Sequence, residues 1–184
     1  MYFYFSDIRA SHPSLHSRSQ RQTMHGFSLL EVMVVVAILG ILAAIAAPSF
    51  TPTIERWRVR DAAESLTSTL YYARSEAIKR GGGITIDATG GWNTGWKVKQ
   101  TGATDPLREI TAPSNIAMAH SNSKVVLYVD RWGMLTETDG GVPAAMNIAL
   151  YPTGKTATDN SAIRLCIALG GRITQINKGA ACPT

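Results

Sequence analysis

Residues 27–50 form an apolar run of 24 residues with a single charged side chain, Glu31. A helix needs about 20 such residues to cross the hydrocarbon core of a bilayer, so this stretch is expected to be a helix in lipid or in an equally apolar assembly. A secretory signal has an apolar region of about 7–15 residues, and this run is longer. A plain membrane anchor satisfies the length but leaves Glu31 without a purpose, unless it is an interfacial carboxylate that snorkels to water. An ionised side chain inside a lipid-facing helix costs about 2.5–3.5 kcal/mol on insertion scales. A positive charge from another subunit, or from a newly exposed N-terminus, would offset that cost. Cutting between Gly26 and Phe27 creates such a terminus, with Glu31 as the fifth residue of the shortened chain.

The string Gly26-Phe27-Ser28-Leu29-Leu30-Glu31, then the apolar run, then Pro48, resembles the class III signal of type IV pilins and pseudopilins. The resemblance implies that a prepilin peptidase cleaves after Gly26 and that Phe27 becomes a methylated N-terminus. It also implies that the segment serves first as a membrane anchor and later as the core of a filament. Glu31 would then pair with the Phe27 ammonium of a neighbouring subunit. Other pilins and an inner-membrane assembly platform are the expected partners.

Residues 1–26 hold Arg9, Arg18 and Arg21 against Asp7. This positive flank predicts a cytoplasmic N-terminus and a C-terminal domain across the membrane. The expected location is therefore the inner membrane, single-pass, with a periplasmic domain that becomes extracellular in a pilus. The leader is longer than most of its kind, and Phe3, Tyr4 and Phe5 are unlike a basic leader, which leaves the start codon open between Met1 and a downstream position.

Lys and Arg outnumber Asp and Glu 18 to 13. With 1–26 removed, a net charge of +3 remains, which permits contact with polyanions without requiring it. The two cysteines, Cys166 and Cys182, fall in the expected oxidising compartment, where such a pair usually forms a disulfide. Closing that loop stabilises the chain by about 3 kcal/mol in the chain-entropy account. Zinc is the competing ligand, but there is no C-x-x-C, and His120 is the sole histidine after residue 26.

Pro48 and Pro52 are expected to kink or loosen the first helix. An apolar stripe resumes at Ile54, Val59, Ala63, Leu66, Leu70, Ala73 and Ala77, with charged residues including Arg74 and Glu76 on the opposite face. Gly81-Gly82-Gly83 ends it. Beyond it, period-two patterning with turn residues predicts strands near 84–88, 95–100, 107–111, 115–119, 124–130, 133–137, 146–151, 162–168 and 172–177. The predicted fold class is α+β: a long N-terminal helix packed on an antiparallel, sandwich-like β domain. The predicted parts are a leader (1–26), a transmembrane and filament-core helix (27–50), an amphipathic helix (51–83) and a β-rich domain (84–184).

Three further stretches narrow the resemblance to the GspH/FimT family. They are Tyr71-Tyr72-Ala73-Arg74-Ser75-Glu76-Ala77 running into Gly81, Trp92-Asn93-Thr94-Gly95-Trp96, and the strand–Gly154–strand spacing of 148–163. The ending Cys166…Gly171-Arg172…Cys182 is similar to FimT-like minor pilins, whose Gly-Arg-x-Arg ending implies DNA capture in natural transformation. Here the second arginine is replaced by Thr174, so the expected DNA patch is Arg172, Thr174, Lys178 and Arg164. A solvated basic hairpin is the competing reading of the same residues. A type II secretion pseudopilin without DNA binding is the alternative to a pilus subunit.

Trp92 and Trp96 could stack nucleic-acid bases beside Lys97 and Lys99, but packing is the expected role. Gly154-Lys155-Thr156 lacks the first glycine of a phosphate loop and reads as a turn. No catalytic constellation or cofactor motif is visible, and His120 has no evident partner. The expectation is a non-enzyme without metal or cofactor.

Overall fold

The computed structural model describes residues 26–183. The expected leader, with its arginines and the start codon, lies outside the described residues except for Gly26. The described chain divides between Ala43 and Ala44 into two units.

The helix α1 runs from Leu29 to Arg80. Pro48 and Pro52 remove backbone donors, yet neither ends the helix. Side chains add bonds to its carbonyls here: Ser49 Oγ donates to Ala46 at 3.1 Å and Arg56 Nε to Pro52 at 3.3 Å.

In the first unit the helix begins at Ser28, whose side-chain oxygen accepts the Glu31 N–H at 3.2 Å. This is an N-cap, and the Ser-x-x-Glu spacing is that of a capping box. The following side chains, including Leu29, Val32, Val36, Leu39 and Leu42, are exposed on every face of the helix. The window Leu29–Ala46 has a mean hydropathy of 2.8 and is long and apolar enough to cross a membrane.

The second unit contains the rest of α1 and nine strands. These are β1 (Ile84–Asp87), β2 (Gly95–Gln100), β3 (Arg108–Thr111), β4 (Ile116–His120), β5 (Val126–Val129), β6 (Leu135–Thr136), β7 (Met146–Pro152), β8 (Ile163–Ile167) and β9 (Ile173–Asn177). All pairings are antiparallel. One sheet has the order β3-β2-β1-β5-β6 and the other β4-β7-β8-β9. Each expected strand therefore exists, although 133–137 shrinks to Leu135–Thr136. Asp130 takes the preceding residues into a turn by accepting the N–H groups of Trp132 and Met134.

Both sheets and the helix share one apolar core. The helix contributes Val59, Ala62, Ala63, Leu66, Leu70, Ala73 and Ala77, all fully buried. Ile54, expected in this stripe, is exposed instead, and Thr69 is buried within it. Large side chains such as Leu66 stabilise by about 1.5–3 kcal/mol each through burial, and the small alanines between them let the strands approach closely.

Trp96 is 1% exposed. Its Nε1 donates to Thr69 Oγ1 at 3.0 Å, which gives the buried hydroxyl a partner. Trp92 is also buried and donates to the Lys124 carbonyl at 2.7 Å. Their ring centroids lie 6.4 Å apart. Both rings are therefore core, not a stacking platform. Gly95 between them has φ 130°, and a Cβ there would run into the Ile110 carbonyl across the β2–β3 pairing. Only glycine permits that approach.

Candidate functional site

Two regions carry the residues singled out from the sequence. The first is the start of α1. Gly26 and Phe27 precede the cap and are exposed, as is Glu31 in the first turn. The carboxylate of Glu31 makes no ion pair among the described residues. Its position does supply a local reason for a negative charge, because the unsatisfied N–H groups of a helix start favour anions. This contribution is separate from any partner cation and is signalled in the sequence only by the Ser28-x-x-Glu31 spacing.

The second region surrounds β9, an edge strand of the smaller sheet. Cys166 on β8 is bonded to Cys182 in the tail, with a Cα–Cα separation of 5.7 Å. Arg164, on the same strand, also holds the tail. Its guanidinium donates to Asn147 Oδ1 at 2.7 Å, to the Ala180 carbonyl at 3.0 Å and to the Gly179 carbonyl at 3.3 Å. Arg164, a member of the expected DNA patch, thus has Nε, Nη1 and Nη2 each bonded to an oxygen of the chain.

Arg172 and Thr174 stay together. They line a hollow of about 390 Å³ that also includes Cys166, Cys182, Met146 and Leu169. Lys178 does not join them: it follows the other end of β9, at most about 20 Å from Arg172 and about 14 Å from Thr174 along an extended chain. There it lines a different cleft, with Arg56, Trp57 and Arg60 of α1. The four-residue patch is thus divided by the length of one strand.

Arg74 was missed as a positioning residue. Expected on the solvent face of α1, it is partly buried and joins the turns of both sheets. Nε donates to the Gly133 carbonyl at 2.7 Å, and Nη1 donates to the carbonyl of Gly171, beside Arg172. The Ala-Arg-Ser-Glu-Ala string was the available signal, because an arginine enclosed by two alanines of the buried stripe borders the core.

Lys155 closes the Gly154 turn, its N–H donating to the Pro152 carbonyl at 3.0 Å. It pairs with Glu55 at 2.6 Å, an interaction that raises its pKa above the usual lysine value. His120 is buried beside Glu137, with Nε2 3.8 Å from the carboxylate and no hydrogen bond there. Burial lowers its pKa, opposed by the charge of Glu137. Among the described residues no group of three or more His, Cys, Asp or Glu is arranged to hold a metal.

An apolar helix continuing into an amphipathic one, packed on antiparallel sheets, is the architecture of type IV pilin-like proteins. Residues 62–179 match the family model described as type II transport protein GspH, and residues 21–47 match the prokaryotic N-terminal methylation motif. The chain belongs to the GspH family. It is similar to the crystal structure of the type IV minor pilin FimU of Pseudomonas aeruginosa, with 27% identity and a TM-score of 0.56, over 70% of this chain and 95% of that one. It is also similar to type II secretion system protein H of Xanthomonas campestris, with 33% identity over 38% of this chain and 41% of the relative. A fimbrial protein of Pseudomonas aeruginosa is 45% identical over 35% of this chain and 41% of its own length. The chain thus spans about two fifths of the length of these curated relatives.

Proposed function

We propose that the protein is a minor pilin, made as a membrane-anchored precursor and then incorporated into a type IV pilus or used to prime one. The observation that carries this is the capped helix from Leu29, whose apolar side chains are exposed all round and which has one carboxylate in its first turn. Such a surface needs a bilayer, and later the helices of other subunits, to cover it. The partners are other pilins, a prepilin peptidase acting at Gly26-Phe27 and an inner-membrane assembly platform. The topology is an N-terminus in the cytoplasm and a periplasmic domain, extracellular after assembly. The role is structural and needs no catalysis.

The similarity to FimU, which extends over nearly all of that chain, favours a pilus. The alternative is a type II secretion pseudopilin, supported by the similarity to protein H. Mass spectrometry of the mature protein is expected to find methylated Phe27 as its first residue. Gly26→Val is expected to leave full-length precursor in the membrane, because a side chain obstructs approach to the scissile bond. An intact leader in assembled filaments would overturn the reading.

A second role, DNA contact during transformation, rests on Arg172 and Thr174. Arg172 is exposed, makes no ion pair among the described residues, and is presented by a turn that Arg74 secures. With one cation, binding is expected to be weak, in the non-specific range of about 10⁻⁴–10⁻⁶ M or weaker, and salt-sensitive. In gel-shift titrations Arg172→Gln is expected to reduce binding and Thr174→Arg to raise it. No binding by wild type and none gained by Thr174→Arg would remove DNA from the function.

A further inference from the structure

A cleft of about 390 Å³ lies between residues 53–60 of α1, the 160–163 loop and the end of β9. It gathers three cations from separate parts of the chain. Arg56 and Arg60 are one turn apart on α1, and Lys178 follows β9. None of the three makes an ion pair among the described residues. Of the nearby carboxylates, Glu55 is held by Lys155 at 2.6 Å and Asp159 by the N–H and hydroxyl of Ser161, while Asp61 and Glu64 follow Arg60 on α1 and are exposed.

Lys178 sits in the left-handed region, with φ 59°, a conformation uncommon outside glycine and one that often marks function. The fold enforces it, because the next N–H, of Gly179, donates to the Ala162 carbonyl at 3.2 Å. Asn160 and Asn177, whose side chains carry amide donors, are also among the residues lining the cleft. Converging cations and amide donors suit the oxygens of a phosphate group.

The surroundings select among phosphates. Phe50, Ile54 and Trp57 are 59%, 48% and 66% exposed, and their spacing of four and three residues puts them on one helix face. Trp57 belongs both to this apolar stripe and to the cationic cleft. Tryptophan and basic residues beside apolar side chains are the composition of a membrane–water interface. A nucleic-acid strand would use the cations but leave Phe50 and Ile54 without a role.

We propose that the cleft formed by Arg56, Trp57, Arg60 and Lys178 binds the phosphate headgroup of an anionic phospholipid. This goes beyond the pilin reading. It concerns the membrane-held subunit and is independent of whether a pilus or a secretion apparatus receives it. Release of the lipid would then accompany removal of the subunit from the bilayer.

The test uses the full-length protein in neutral detergent, titrated with phosphatidylglycerol or with phosphatidylcholine of the same chain length, with retained lipid read by native mass spectrometry. Phosphatidylglycerol is expected to be retained and phosphatidylcholine not. Arg56→Gln, Arg60→Gln and Lys178→Gln are each expected to weaken retention about fivefold, the effect of one basic charge at an anionic lipid surface. Arg58→Gln, exposed but outside the cleft, is expected to change it by less than about twofold. An equal loss in Arg58→Gln would reduce the effect to bulk charge and overturn the site. Full displacement of the lipid by equimolar inorganic phosphate would make it a free-phosphate site and overturn the lipid assignment. Displacement by a single-stranded oligonucleotide at lower concentration than phosphatidylglycerol would overturn it in favour of nucleic acid.

Discussion

Glu31→Ala is expected to enter the membrane at least as well as the wild type and to be absent from sheared filaments. The two halves of this result have different causes. Insertion improves because a carboxylate opposes transfer into lipid by about 2.5–3.5 kcal/mol. The helix itself survives, because Ser28 remains as its cap and one charge in a first turn is worth only about 0.3–1 kcal/mol. Assembly is expected to fail because, in the proposed pairing, the Phe27 ammonium of a subunit would meet no carboxylate in the apolar core. Removing one partner of a buried pair costs about 3–5 kcal/mol, more than a hundredfold in occupancy. Membrane fractionation and immunoblotting of sheared filaments separate the two effects. Normal incorporation of Glu31→Ala would leave the residue as a helix-terminal charge and nothing more.

Trp96→Ala is expected to destabilise the β domain by about 3–5 kcal/mol, the range for removing a large buried aromatic side chain. The ring is almost wholly enclosed and supplies the donor to Thr69 Oγ1. Its loss leaves a cavity beside Trp92 and takes one partner from a buried hydroxyl, although Thr69 keeps its bond to the Ser65 carbonyl. Against a total stability of about 5–15 kcal/mol, such a change lowers the unfolding midpoint visibly in urea titrations of the purified chain. Trp132→Ala, at a site 72% exposed, is expected to alter stability by less than about 0.5 kcal/mol. Equal midpoints for Trp96→Ala and the wild type would show that the ring is not holding the domain together.

Much of the architecture could be read residue by residue because it arises from local physics. The apolar run after Phe27 has to leave water whatever surrounds it, and its length decides that it is a helix of membrane-spanning size. The alternation of Ile84-Thr85-Ile86 or Trp96-Lys97-Val98 reflects the two faces of a strand, and the glycines and Asp-Pro or Pro-Ser pairs between such stretches mark the turns. Cys166 and Cys182 were the only cysteines available to each other.

What periodicity could not supply was the neighbour across space. Alternation says that Ile116–His120 is a strand but not that it leaves the sheet of β3 and β5 to pair with β7. That choice depends on hydrogen-bonding partners far along the chain. The basic residues show the same limit. Arg164, Arg172 and Lys178 look like one patch in a sequence of fifteen residues, and only the folded chain separates them. Arg164 turns onto carbonyl oxygens of the tail, and Arg172 stands at one end of β9. Lys178, past the other end, joins two arginines more than a hundred positions earlier. Charge is a property of the residue and is legible in the sequence. The field it contributes to depends on where the backbone carries it, and in this protein the tertiary structure alone decided that.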